Sequence, residues 1–129
     1  MSEADEKLVR EVFDRWNRGR HDVDPELLDP EIEIHSALVR AVFRGYRGAE
    51  TWVREIDEQF GEWKIEIEAL QRLDDGRLVV EGTIHGRGRL SGVDLDEPAS
   101  WLVEIREGRI LRLLNFIGRE AAAEAAGER

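Results

Sequence analysis

The chain of 129 residues contains no cysteine. Disulfides, thiolate nucleophiles and cysteine-ligated metals are excluded together. Positive charge is scarce: 19 Lys and Arg stand against 29 Asp and Glu, a formal net charge of −10. That balance opposes nucleic acid and anionic membrane surfaces as partners. Long apolar runs are also missing, so no membrane span is expected. The acidic, amphipathic opening MSEADEKLVREVF is unlike a signal or transit peptide. Cytoplasmic localisation is the resulting expectation. The clusters GRGR and VRAVFRGYR are locally basic, and on so acidic a chain they read as parts of a solvated sheet face.

What is present is patterned. Apolar residues make up 41% and charged residues 37% of the chain, and the charges are interspersed with Ile, Val, Leu and Trp; disorder is therefore a poor reading. Leu8, Val9, Val12, Phe13 and Trp16 recur at helical spacing, predicting a helix from about Glu3 to Arg18 that stops near Gly19. DVDPELLDP predicts a short second helix capped by Asp24 and closed by Pro30. EIEIHS alternates as a strand, FRGYRG reads as a short strand and turn, and Trp52, Val53, Ile56 and Phe60 mark one face of a third helix. WKIEIEALQRL and RLVVEGTIHGRGRL alternate on either side of Asp75-Gly76, a strong hairpin signal. SGVDLDEP reads as a loop, ASWLVEI and RILRLLNFI as the last strands, and REAAAEAAGER as a terminal helix. Consecutive strands with tight connections and segregated helices predict an α+β fold, one domain over residues 1–129.

Few residues stand out chemically. His21, His35 and His85 have no metal-ligand spacing, so no metal site is expected. GRGRLSG has Ser91 in place of the last glycine of a phosphate loop and runs through a strand. DLDEP lacks the calcium-loop pattern. His85 shares period-two parity with Glu81, Thr83 and Arg87, which places it on a charged outer face opposite Gly82, Gly86 and Gly88. For His35 two readings stay open. It works in a pocket, or Ile32 and Ile34 face the core and leave it at the surface. Trp16, Trp52 and Trp101 sit among core-facing residues, and either fill the core or line a site for a flat apolar ligand, with Tyr46 as a polar contact at its mouth.

Three stretches carry a family resemblance. WNRGRHDVDPELLDPEIEIHSA, FRGYRGAETW and GRGRLSGVDLDEPASWLVEIREGRILRLLNFIGREAAAEAAG together resemble the SnoaL-like branch of the nuclear transport factor 2-like superfamily across nearly the whole chain. The resemblance implies a cone-shaped barrel: a curved, mostly antiparallel sheet wrapped around three N-terminal helices, plus a short C-terminal helix. It also implies an apolar pocket for a small apolar or polyketide-like molecule, no cofactor, and a homodimer. Alignment with the ketosteroid isomerases puts His35 at the position of the base, with Val12 and Trp101 where that enzyme keeps its hydrogen-bond donors; that reaction is excluded. The aspartate of the polyketide cyclases and epoxide hydrolases is matched by Asn115, an amide that cannot move a proton at neutral pH. The catalytic candidates are thus His35 as base and Asn115 as an orienting group, in a cofactor-free isomerase, cyclase or hydratase step. The alternative is a ligand-binding or dimerisation module of the same fold without chemistry.

Overall fold

The computed structural model describes residues 2–37 and 40–127. Helix α1 (Ser2–Asn17) carries Glu3 and Asp5 in its first turn and Arg15 in its last, each charge placed favourably against the helix dipole. Its apolar face buries Leu8, Val9, Val12, Phe13 and Trp16 as the spacing predicts. The helix stops because Gly19 takes φ +80°, so that Gly19 N–H donates to Trp16 O and Arg20 N–H to Arg15 O, both within 2.9 Å. This is the left-handed glycine cap that satisfies the last carbonyls.

The expected second helix does not form. Asp24 accepts from Glu26 N–H through its side chain and from Leu27 and Leu28 N–H through its carbonyl, which makes a single turn. Then Leu27 O accepts from Ile110 N–H, and strand β1 (Leu28–Ser36) has begun. A long-range ladder outcompetes a helix too short to propagate. The N-terminal half of the described residues therefore carries two helices where three were expected. Pro30 lies where the β1 register shifts between Leu28 and Glu33, a bulge that tolerates its missing N–H. In the same bulge the enclosed Asp29 accepts two bonds from Arg106, at 2.9 and 3.2 Å, and one from Glu31 N–H. The Arg106 contact chiefly holds the Asp29 carboxyl below its ordinary pKa.

Strand β2 (Ala41–Arg44) pairs antiparallel with β1 and runs into α2 (Gly45–Gln59), whose buried face is Ala49, Trp52, Val53 and Ile56. Strands β3 (Phe60–Arg72), β4 (Leu78–Gly88), β5 (Asp94–Arg106) and β6 (Arg109–Ile117) follow as an antiparallel meander, and α3 (Ala121–Gly127) ends it. The sheet order is β2-β1-β6-β5-β4-β3, with only β1–β6 parallel. The sheet is open, with β2 and β3 as its edges, so it is not a closed barrel. Strand β5 starts at Asp94, inside the stretch expected to be a loop.

The bend in the meander has a local cause. A Cβ at Gly82 would lie 2.0 Å from the Glu66 carbonyl oxygen, beside the register shift between Ile67 and Ala69. Only glycine permits so close an approach at a bulge.

The inner face of the sheet and the two N-terminal helices share one apolar cluster that includes Trp16, Trp52 and Trp101. On the outer face α3 covers a smaller cluster of Val79, Leu102 and Ala122. None of the described helices is long and apolar enough to cross a membrane.

Candidate functional site

The enclosed cavity lies where α1 ends, between α2, β1 and β6. Trp16, Trp52, Val53, Ile32, Ile34 and Leu113 form its apolar walls, and His21 and Asp22 stand at its rim. Its open volume is about 10 Å³, room for one water molecule. The side chains that create this space also fill it.

A chain of aromatic contacts explains the tight fit. Trp101 meets Phe13 edge-on at 5.3 Å, Phe13 meets Trp16 at 5.2 Å, and Trp16 meets Trp52 edge-on at 5.1 Å. Offset and edge-on geometries are the favourable ones for such rings. Trp16 and Trp52 therefore reach the cavity wall, while Trp101 packs behind them. The Tyr46 hydroxyl is engaged elsewhere: it donates to Leu28 O at 2.9 Å and ties α2 to β1.

One buried polar atom of a lining residue is unmatched. Trp52 is 4% exposed, and its Nε1–H has no hydrogen-bond partner among the described residues. A buried donor left unpaired costs about 1–3 kcal/mol, and native interiors rarely keep one.

At the rim, His21 is held from both sides. Its Nδ1 lies 2.9 Å from Asp57 Oδ2 and its Nε2 lies 3.1 Å from Trp16 O. Both ring nitrogens therefore have a neighbour within hydrogen-bond distance. Trp63 stacks on the ring at 4.9 Å and donates its own Nε1–H to Asp57 Oδ1 at 2.7 Å. Arg89 caps the end of α2 by donating to Asp57 O and Phe60 O. A ring with a partner at each nitrogen has both of its polar atoms occupied. Here His21 clamps the segment after α1 onto α2. Sequence reasoning missed this pair because 36 residues separate its members; nothing local in the sequence announces it.

The catalytic candidates stand apart from this cavity and from each other. Ile32 and Ile34 point inward, so alternation turns Glu33 and His35 to the outer face, where the His35 side chain is 40% exposed. His35 Nε2 lies 3.2 Å from Glu33 Oε1. That contact, followed by the charges of Arg112 and Arg44, holds the Glu33 carboxyl below its ordinary pKa. Asn115 is registered opposite Trp101, which places it on the inner side of the sheet. Its Oδ1 accepts from Ala37 N–H, and its Nδ2 donates to Ser100 O and Phe116 O, at 3.3 to 3.4 Å. Asn115, on β6, thus ties the residue after β1 to the middle of β5. The structure does not bring His35 and Asn115 together.

His85 occupies the outer face, as its parity predicts. Its Nδ1 lies 2.6 Å from Asp96 and its Nε2 lies 3.0 Å from Glu66.

The fold is shared widely among solved structures. Bal32a, from a soil-derived mobile gene cassette, is 18% identical, with 96% of each chain covered and a TM-score of 0.80. A proposed polyketide cyclase from Xanthomonas campestris pv. campestris is 17% identical over 88% of this chain and 90% of its own, with a TM-score of 0.78. TerC, co-crystallised with polyporic acid, is 14% identical over 94% of this chain and 96% of its own, with a TM-score of 0.76. At these identities the likeness is one of fold. The family profile of the SnoaL-like domain matches residues 9–113, most of the chain, and the protein belongs to the SnoaL-like family.

Proposed function

We propose that this chain binds a small apolar molecule bearing one hydrogen-bond acceptor, in the cavity walled by Trp16 and Trp52, without acid–base chemistry there. The observation that carries the reading is a largely apolar cavity walled by Trp16 and Trp52, where the buried Trp52 Nε1–H has no hydrogen-bond partner among the described residues. An acceptor atom placed against it recovers the cost of a buried unpaired donor, while the indole and aliphatic walls take the apolar body. The polar residues at the rim are committed elsewhere: His21 to Asp57 and Trp16 O, Asp22 to Arg15. Catalysis by His35 with Asn115 draws no support from their placement on opposite faces. That TerC, a protein of similar fold, was co-crystallised with polyporic acid supports small-molecule binding as a use of this fold. Any ligand larger than one water must enlarge the cavity, and the segment around His21 and Val23 is the part of the wall lying outside helices and strands.

The test uses the indole N–H signals of the four tryptophans in a nitrogen–proton correlation spectrum. Cyclohexanone, a compact ring with one carbonyl, is titrated beside methylcyclohexane. The ketone is expected to shift the Trp52 signal and to bind about fivefold more tightly than the hydrocarbon, the worth of one neutral hydrogen bond. Trp52→Phe is expected to erase that preference. A Trp52 signal indifferent to both probes, in a folded protein, sinks the proposal.

A further inference from the structure

The inner cavity has no room for anything larger than one water, and a single short piece of its wall is built differently from the rest. Helices α1 and α2 and strands β1 and β6 supply most of the lining, each held by its own backbone bonds. His21, Asp22 and Val23 lie outside these elements. They make no backbone–backbone hydrogen bond among the described residues. The segment starts after Gly19, which has φ +80° and open space around it. It ends at the Asp24 turn that leads into β1. Its ends are thus fixed by backbone, and its middle is held by side chains.

Those side-chain ties are unequal. Arg15 reaches Asp22 at 3.3 Å and Asp24 at 3.8 Å, and the Asp22 side chain is 71% exposed, so these pairs contribute little. Val23 rests half-buried against the core. His21 is the firm tie: its ring lies nearly parallel to Trp63, at 19°, and its side chain is only 22% exposed. The post that it holds is anchored independently. Asp57 O accepts from Arg89 Nε and Nη2 at 3.0 and 2.6 Å, and Asp57 Oδ1 accepts from Trp63 Nε1–H. The end of α2, the start of β3 and the residue after β4 are thereby joined without His21. Asp57 Oδ2 is left for the segment.

We infer that residues 21–23 form a strap over the binding cavity, latched by His21 to Asp57 and Trp63, and that release of this latch admits the ligand. The inference rests on the binding proposed for the inner cavity and says how that site opens. Swinging a short segment between fixed ends breaks side-chain contacts alone, whereas displacing a helix or strand of the wall breaks backbone bonds as well. The closed form has no space for a ligand. Apparent affinity is therefore the intrinsic affinity scaled by the fraction of molecules with the strap open. One hydrogen bond in the latch changes that fraction about tenfold.

Xenon is the probe, because it is apolar, larger than water, without an acceptor atom, and enters apolar cavities. The methyl signals of Ile34, Val53 and Leu113 on the cavity wall are the readout. His21→Phe keeps a ring against Trp63 and leaves no hole, while it removes the polar atoms of the latch. Asp57→Ala removes the carboxylate from a residue that does not line the cavity. Each is expected to raise the apparent affinity for xenon about tenfold over the wild type, and His85→Gln, on the outer face, is expected to leave it unchanged. If His21 served stability alone, both latch variants would lower the urea midpoint while the folded protein took up xenon as the wild type does; that outcome overturns the inference. Cyclohexanone separates this proposal from the one on which it rests. Raised xenon uptake with a Trp52 signal indifferent to the ketone supports the strap and sinks the binding reading. A Trp52 response of equal affinity in the wild type and both variants supports the binding reading and overturns the strap.

Discussion

Ser100 is fully buried, and its hydroxyl does two jobs at once. It donates to Gly118 O at 2.7 Å and accepts from Ala122 N–H at 2.9 Å. The approach to α3 is thereby fixed to β5. Ser100→Ala leaves a carbonyl and an N–H unpaired, and the expected loss is about 1–3 kcal/mol. A urea titration measures it; a loss under about 0.5 kcal/mol would mean that water replaces the hydroxyl. Asn17 serves similarly: its side chain donates to Ile65 O at 2.7 Å and accepts from Ile65 N–H at 2.8 Å. It pairs with the edge strand β3 as a neighbouring backbone would. Asn115 makes a third bracket. Among the described residues, the buried polar side chains are largely occupied in holding backbone, with Trp52 Nε1–H and Arg77 Nη1 as exceptions.

At the scale of elements, the β5–β6 hairpin turns through Glu107 and Gly108, both with positive φ, 53° and 78°. Positive φ at both central positions is the tight hairpin turn whose twist matches the flanking strands, and asparagine is preferred over glutamate at its first position. Glu107→Asn is expected to raise stability by about 0.5 kcal/mol, since it relieves left-handed strain at an exposed site. A thermal melt that drops instead would show that Glu107 makes a contact worth more than the strain. This turn, the β3–β4 hairpin and the apolar faces of α1 and α2 were legible because each is encoded by neighbours in sequence. The turn at residues 25–27 was not, because the decisive partner of Leu27 is Ile110, far along the chain. Strand β5 hid its beginning in DLDEP for a related reason. Asp94 and Asp96 join the ladder opposite Arg87 and His85, and only those partners make acidic residues good strand formers here. The outward face of His35 could be read from Ile32 and Ile34 by alternation. The near-complete filling of the cavity could not, since it depends on how Phe13, Trp16, Trp52 and Trp101 interlock.

For the whole molecule, charge on the outer sheet face ties strands together and makes stability depend on pH. His85 on β4 bridges Asp96 on β5 and Glu66 on β3. The bond to Asp96 first, and that to Glu66 second, raise its pKa above the ordinary 6.5. A group whose pKa is raised by folding stabilises the fold fully below its unfolded value, and that contribution fades as pH rises through the folded value. Asp29, Glu33 and Asp94 are shifted the other way, by Arg106, His35 and Arg87 respectively. Their contributions stand above the ordinary carboxylate range and fade as pH falls through it. The stability profile should therefore decline at both ends. Because the His85 side chain is 43% exposed, solvent screening keeps its share small, so a difference between two proteins is the cleaner observable. Melting temperatures of the wild type and His85→Gln, followed from pH 6 upward, should converge: the wild type loses an advantage that the glutamine never had. Curves that stay parallel across that range would mean that His85 carries no folding-linked charge. The sheet would then be held at that point by its ladder alone.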